Sequence, residues 1–218
     1  MTEEGWKTRE MRMFGQCCFN LFVLQPIGFY TLIGFDRTSI LYKYDEIPSF
    51  GMFLIHFFWM FMMEDFAFYW THRLLHHPKL YPYIHKVHHE SKSTTSLSAI
   101  ATHPVEYFLG NSLASSFGMI TLPGKVHIVS VACFIMFRVF ETIEGHSGYE
   151  FPFGTHKFIP MATNSNYHNY HHLINIGNYG SLMVFWDSIF NTNTEYFKQV
   201  ETINETREIG TRRKIKKD

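Results

Sequence analysis

The sequence predicts an all-α integral membrane protein with about four transmembrane helices in two hairpins and a cytosolic, helical, histidine-rich cap. The first observation is a set of four apolar stretches, each close to the roughly 20 residues that a helix needs to cross a bilayer. The second is that polar segments separate and follow these stretches. Hydrophobic residues therefore make up 46% of the chain while mean hydropathy is only −0.10. The stretches cover 14–35, 50–70, 105–122 and 126–143.

Each pair of stretches is predicted to form a hairpin. A polar connection, 36–49, joins the first pair, and the sequence TLPGKV at 121–126 separates the second pair with a Pro-Gly turn signal. Two hairpins would return the chain to its starting side. The N-terminus, 71–104 and 144–195 would then share one face, which the basic residues near both chain ends make cytosolic. The prediction is a single membrane domain, 1–218, ending in a basic tail, 196–218.

Polar residues inside the stretches leave an alternative open, a soluble protein with buried aromatic helices. Glu64 and Asp65 interrupt the second stretch, and Arg138 and Glu141 interrupt the fourth, where their spacing predicts an ion pair.

A formal net charge of zero gives no electrostatic reason to expect a nucleic-acid partner. The three cysteines, Cys17, Cys18 and Cys133, lie in apolar runs and are predicted to be buried, reduced thiols. The N-terminus does not resemble a cleaved signal peptide.

Histidines form three dense clusters in the polar segments. Their spacings are i, i+3 and i+4, which on a helix place imidazoles on one face. Neutral imidazole binds Zn, Cu, Fe and Ni, and eight or nine candidates exceed the needs of one ion, so two metal ions are predicted. Isolated histidines, His56, His127 and His156, are interpreted as non-ligands. The clusters are His72 and His76 with neighbouring His77; His85, His88 and His89; and His168, His171 and His172.

Several chemistries fit such a histidine set. Zinc would suit a hydrolase that activates water, but none of the three clusters contains the H-E-x-x-H pattern of zinc proteases. Two irons with open positions would activate dioxygen for attack on a C–H bond. A non-catalytic metal-binding or transport protein is a third reading, although a transporter should place its ligands at mid-membrane. The residues alone do not choose the metal.

The order of the motifs resembles the fatty acid hydroxylase and sterol desaturase superfamily of membrane di-iron oxygenases. Beyond the histidine spacing, four segments look most like its C-4 methylsterol oxidase branch, and together they cover about 64–190. Position 146, in the third of these segments, is where the family has a further ligand, so His146 joins the predicted metal ligands. The segments read HRLLHHPKLYPYIHKVHHE, ATHPVEY, ETIEGHSGYEFPF and GNYGSLMVFWDSIF.

The resemblance implies two iron ions that oxidise an apolar substrate, most directly a sterol 4-methyl group, with O2. Electrons would come from NAD(P)H through a reductase and a b-type cytochrome. No side chain beyond the metal ligands would be catalytic. Another sterol desaturase or hydroxylase, or a fatty-acid hydroxylase, is the alternative within the superfamily. A cleft walled by Phe- and Met-rich helices is expected to receive the lipid.

The sequence also departs from the family pattern. Asn169 replaces the acid that the branch usually has in its third histidine motif, which removes an expected hydrogen-bond acceptor for an imidazole. Glu150 follows His146 by four residues and is weighed as a further ligand. The N-terminal region is short for the family. Lys214 and Lys216 resemble a dilysine retrieval signal, which favours the endoplasmic reticulum membrane.

Overall fold

The computed structural model describes residues 3–35 and 40–215, and these are mostly helical. Lys216 of the predicted retrieval signal and residues 36–39 of the first connection lie outside the described residues. Short 3-10 helices at Tyr44–Glu46, His85–Glu90, Ser96–Ala99 and Thr155–Lys157 lie in the polar segments. The other elements are, in order, α1 (Glu3–Phe19), a π segment (Asn20–Leu24), α2 (Gln25–Phe35), β1 (Ile40–Leu41), α3 (Phe50–Leu75), α4 (Pro104–Glu106), a second π segment (Tyr107–Leu113), α5 (Ala114–Ile120), β2 (Val126–His127), α6 (Ile128–Gly145), α7 (Ser165–Ile174), α8 (Phe185–Ile189) and α9 (Thr194–Ile215).

Helix α3 is the central element. Ser49 caps its N-terminus by accepting a hydrogen bond from the Met52 amide at 3.4 Å. Within the described ranges, α3 is the one helix both long and apolar enough to cross a membrane, and only 28% of its apolar window is buried. It extends past the predicted boundary at 70 as far as Leu75, so the same helix carries His72 out of the apolar stretch.

The third apolar stretch is not one regular α-helix. After α4 the chain forms the second π segment, and only from Ala114 does it continue as α5. The wider π turn places an extra residue in the turn, a feature that occurs often at functional sites. At the far end, residues 121–125 turn the chain into β2, which pairs in parallel with β1 and aligns Val126 with Ile40.

Close packing of α3 against α5 and α6 forms the apolar core. Met60, Phe61 and Phe134 are its largest buried side chains. Gly118 on α5 lies so close to α3 that a Cβ there would be 2.6 Å from the Met60 Cα and 2.8 Å from its carbonyl oxygen. The absence of a side chain at 118 therefore sets the distance between the two helices.

Buried charges in the helices are paired. Arg138 lies 2.8 Å from Glu64 and also contacts Glu141, which confirms the predicted pair and adds a partner from α3. Its guanidinium also donates to the Ser181 hydroxyl at 3.2 Å. Pairing offsets the desolvation of three buried charges.

The cysteine prediction holds for Cys17 and is wrong for Cys133, whose side chain is exposed because it lies on the outer face of α6.

Replacing Gly118 by alanine is expected to lower the thermal unfolding midpoint by several degrees, because the new methyl group meets backbone atoms of Met60 that have no room to move. Gly51→Ala is the matched control, since a Cβ at that position on α3 meets nothing within 4 Å and alanine favours the helix. Equal midpoints for both variants in detergent would contradict this account of the α3–α5 contact.

Candidate metal centre

The nine predicted metal ligands come together in two groups at the polar end of the helices. Each group is assembled from distant segments rather than from one cluster of the sequence. The His85–Glu90 segment is a 3-10 helix rather than an α-helix, and it divides its three histidines between the groups. The first group is His72, His76, His85, His89 and His171, and the second is His88, His146, His168 and His172.

The first group brings five ring nitrogens together. The Nε2 atom of His85 lies 3.1 Å from that of His72 and 3.0 Å from that of His89. The Nε2 atoms of His76 and His171 are 3.1 Å apart. Nitrogens bound at about 2.1 Å to one ion lie about 3.0 Å apart at right angles and about 3.4 Å apart in a tetrahedron. The observed spacings therefore fit a shared ion.

The second group has the same geometry with four nitrogens. His146 Nε2 lies 2.8 Å from His168 Nε2 and 3.4 Å from His88 Nε2. His172 Nε2 lies 3.1 Å from His168 Nε2. The two groups are neighbours, because the ring centroids of His89 and His172 are only 4.5 Å apart. The arrangement is thus one continuous layer of imidazoles with two centres.

Backbone carbonyls fix which nitrogen of several rings carries the proton. The Nδ1 atom of His72 lies 2.8 Å from the Tyr179 oxygen, and that of His171 lies 2.6 Å from the Gly177 oxygen. In the second group, Nδ1 of His146 and of His172 contact carbonyl oxygens at 2.9 Å and 3.1 Å. A carbonyl only accepts, so each Nδ1 must donate and each Nε2 keeps its lone pair. Lone pairs that converge in this way repel one another unless a cation lies between them.

Glu106 supplies a carboxylate partner that the sequence reasoning missed. Its Oε1 atom lies 2.9 Å from His85 Nδ1, and both side chains are buried. Carboxylate contacts of this kind orient a metal-binding imidazole and raise its basicity. The sequence did contain a signal for this residue, because Glu106 is an acidic residue at the beginning of the apolar stretch 105–122. Ionisable groups in that position turn inward or reach water.

Two buried aspartates hold the segment 175–184 that provides the carbonyls. Asp187 accepts hydrogen bonds from the amides of Tyr179 and Gly180 at 2.8 Å and 2.6 Å. Asp65 on α3 accepts from the amides of Leu182 and Met183 at 3.2 Å and 3.1 Å. Because the Tyr179 carbonyl also accepts from His72 Nδ1, the carboxylates position the His72 imidazole through the backbone.

Burial keeps these rings neutral, and neighbouring imidazoles add to its effect on the pKa of His76, His85, His88 and His172. Burial lowers the pKa of His76 from 6.5 to about 2 and that of His146 to about 4. It also places the pKa of His85, His88 and His172 well below the ordinary value. Neutral imidazole is the form that binds a metal ion, so the fold favours the metal-binding state.

Other sequence candidates lie elsewhere. His77 is exposed, and the isolated histidines His56, His127 and His156 belong to neither group. Glu150, weighed as a ligand, instead lies 3.2 Å from His156 and accepts from the Asn166 amide at 2.9 Å, at the beginning of α7. The Asn169 carbonyl oxygen accepts from the Thr94 amide at 3.2 Å, so this side chain fixes the loop at 94 and does not contact an imidazole.

Comparison with known proteins agrees with the geometry. The family model described as fatty acid hydroxylase matches residues 57–192, a range that contains every histidine of both groups. The chain belongs to this family. The predicted resemblance is thereby confirmed, and no solved structure matches the chain.

The curated relatives of this family member include sterol enzymes. It is 33% identical over 90% of its length to methylsterol monooxygenase 1 of Danio rerio, and 33% identical over 91% to the Gallus gallus protein of that name. It is 36% identical over 69% of its length to the very-long-chain aldehyde decarbonylase GL1-11 of Oryza sativa subsp. indica. The chain spans 65%, 66% and 56% of the length of these three relatives.

Acid is expected to destabilise the metal-stripped protein. The unfolded chain takes up protons near the ordinary histidine pKa of 6.5, whereas His146 in the fold does so only near 4. The contribution of such an imidazole to the free energy of unfolding is therefore fully present above about pH 6.5. It is lost as the pH falls from there toward 4, by up to about 1.4 kcal/mol per pH unit for each such imidazole. The measurement is the unfolding midpoint in detergent at pH 7.5 and 5.0.

The control for this pH dependence is His77→Gln, which removes an exposed histidine and should leave the difference between the two midpoints unchanged. His146→Gln, which removes a buried one, should reduce that difference. A midpoint that is the same at both pH values in the unsubstituted protein contradicts the burial argument.

Proposed function

We propose that this protein is a membrane di-iron oxygenase that uses O2 to oxidise a sterol, most directly its C-4 methyl group. The observation that carries the proposal is the pair of histidine groups whose Nε2 lone pairs converge. Membership of the fatty acid hydroxylase family supports iron as the metal. The methylsterol monooxygenases among its relatives support the substrate class.

Two iron ions are the proposed cofactors, one for each histidine group. Bound iron with an open coordination position supplies the activation of dioxygen for attack on a C–H bond. The remaining work belongs to the chain. Carbonyls of Tyr179 and Gly177 hold His72 and His171 in the tautomer with Nε2 free, and Glu106 orients His85. No side chain is needed as a nucleophile. The proposed ligands are His72, His76, His85, His89 and His171 for one ion and His88, His146, His168 and His172 for the other.

The proposed topology is a single domain with four membrane segments, 14–35, 50–70, 105–122 and 126–143, in two hairpins. Each segment presents large apolar side chains outward, a pattern that water disfavours and hydrocarbon accepts. Examples are Phe22 at 76% exposure, Phe58 at 65%, Ile120 at 60% and Met136 at 72%. Polar segments 71–104 and 144–195, which carry all nine histidines, form the proposed cytosolic cap.

Electrons are proposed to come from NAD(P)H through a reductase and a b-type cytochrome, which would contact the cytosolic cap. The endoplasmic reticulum is the proposed membrane, because the proposed sterol chemistry points to it. A lipid substrate dissolved in the same bilayer would reach the centre without crossing water.

The second candidate is another reaction of the same family, on a fatty acyl chain, an aldehyde or a different sterol carbon. The similarity of the chain to the aldehyde decarbonylase of Oryza sativa supports this second candidate. A non-catalytic metal-binding protein is less well supported, because eight of the nine histidines are buried and four of them are oriented by backbone carbonyls, whereas a metal-storing tract needs no such orientation.

The metal assignment predicts about two irons per purified chain. His171→Ala and His168→Ala, one from each group, are expected to lower the iron content, since each removes a converging nitrogen. The control is His77→Ala, next to a proposed ligand but exposed. Iron measured by mass spectrometry should stay at the unsubstituted level in that control. Variable zinc or copper in place of iron would contradict the assignment.

Activity is tested by sterol profiling of cells that lack the protein. A sterol that retains its 4-methyl groups should accumulate, and the unsubstituted chain should restore its removal. His88→Ala should not restore it, because it removes a ligand from the second group, while its expression level stays close to that of His77→Ala. Normal 4-methylsterol levels in the deletion strain, with an altered fatty-acid or aldehyde profile, would favour the second candidate.

A further inference from the structure

Two cavities lie end to end between the apolar helices and the histidine groups. The larger, of about 210 Å³, lies between the π segment Asn20–Leu24 with α2, the π segment Tyr107–Leu113 and α6. The smaller, of about 40 Å³, is lined by histidines of both groups, including His72, His85 and His146. Because the smaller cavity reaches the proposed ligands, the larger one is the natural place for the rest of a substrate.

The larger cavity has an apolar mouth at the protein surface. Leu21 and Phe29 form one side of it and Val139 and Ile143 the other. All four side chains are exposed. In the proposed topology they face hydrocarbon, so an apolar molecule would enter sideways from the bilayer between the segment 20–29 and α6.

Asn111 and Thr142 are the two residues that line both cavities. Thr142 belongs to α6, and its carbonyl oxygen accepts from His146 Nδ1 at 2.9 Å. Asn111 belongs to the π segment. The junction is therefore in direct contact, through Thr142, with a proposed ligand.

Asn111 carries the one side-chain amide that lines both cavities among the described residues, and that amide has no hydrogen-bond partner within 3–35 and 40–215. Several other polar groups of the larger cavity are paired within the protein. Tyr107 donates to Gln25 at 2.8 Å, and Ser116 donates to the Ser112 carbonyl at 2.5 Å. Arg138 has its two carboxylate partners. Among the described residues the hydroxyls of Ser112 and Ser115 are also unpaired, but both line only the larger cavity. The Thr142 hydroxyl is unpaired at the junction too, but it is on a shorter side chain than the Asn111 amide and offers one donor where the amide offers two.

We propose that the Asn111 amide at the junction of the two cavities binds the hydroxyl group of the substrate and so selects the carbon that is oxidised. In a 4-methylsterol the hydroxyl-bearing carbon is adjacent to the carbon that carries the methyl groups. The polar anchor must then lie beside the histidine groups and not at the far end of the cavity. Asn111 occupies that position, and its amide offers both a donor and an acceptor. This inference rests on the proposed function.

The decisive measurement is equilibrium binding to the metal-free protein in detergent, by displacement of a fluorescent sterol. The probes are a 4,4-dimethylsterol with a free 3-hydroxyl group and its 3-deoxy analogue. The unsubstituted protein should bind the hydroxyl form about 10-fold or more tightly than the analogue, because the bound analogue shields the amide from water and leaves it unpaired. Asn111→Leu should lose this preference by weakening the hydroxyl form alone.

The matched control is Asn204→Leu, the same change at an exposed position on α9, which should keep the preference. A second variant, Asn111→Ser, retains a hydrogen-bonding group and should keep part of it, which preserves the test if the leucine variant does not fold. Equal affinity of the unsubstituted protein for the two probes, or an unchanged preference in folded Asn111→Leu, overturns the inference.

Turnover by the iron-loaded protein separates this inference from the proposed function. If Asn111→Leu loses all or most of its oxidation of the 4,4-dimethylsterol while its iron content is unchanged, the result supports both the role of Asn111 and the proposed function. Oxidation that is equal in the two proteins overturns the role of Asn111 and leaves the function intact. If the unsubstituted protein neither binds nor oxidises the sterol, the proposed function fails and the inference fails with it.

Discussion

The Nε2 lone pairs of the grouped imidazoles converge and repel one another. The fold must therefore hold the rings in place before any cation compensates this repulsion. Each ring needs its Nδ1 proton engaged, and the chain does this mainly with main-chain oxygens, at Tyr179, Gly177, Ser91 and Thr142. Main-chain acceptors are suited to this because they carry no proton of their own and cannot change tautomer. Much of the polar half of the molecule is best understood as support for these oxygens.

That support reaches into the apolar half. Asp65 in the middle of α3 and Asp187 at the beginning of α8 bind successive amides of the same segment, 179–183. Buried carboxylates inside apolar helices are unfavourable unless they are hydrogen-bonded, and here those hydrogen bonds also fix the segment that orients the histidines. Arg138 has a similar position, since it joins α3, α6 and Ser181 beside the smaller cavity.

Periodicity was sufficient to predict the helical class and eight of the nine grouped histidines, because clustered imidazoles at helical spacings have few other uses, whereas His146 was predicted only from the family resemblance. It did not predict how they are shared. His85 and His88 are three residues apart yet serve different groups, since the His85–Glu90 segment is a 3-10 helix whose direction depends on tertiary contacts. Glu106 and Asn111 were missed for a related reason. A single polar residue in an apolar run has no pattern of its own, and only the three-dimensional contacts distinguish a functional one from a helix end.

The π segment Tyr107–Leu113 links two tasks within a few residues of chain. Glu106, just before it, contacts His85, and Asn111, inside it, lies at the junction of the two cavities. Each residue removed from a helix rotates the next residues about the helix axis by about 100°. Shortening this wide turn to ordinary helix would therefore aim Asn111 away from the cavity while Glu106 stayed in place. Changes of length here offer a route by which related chains could reshape the junction of the two cavities and still keep the same layer of imidazoles.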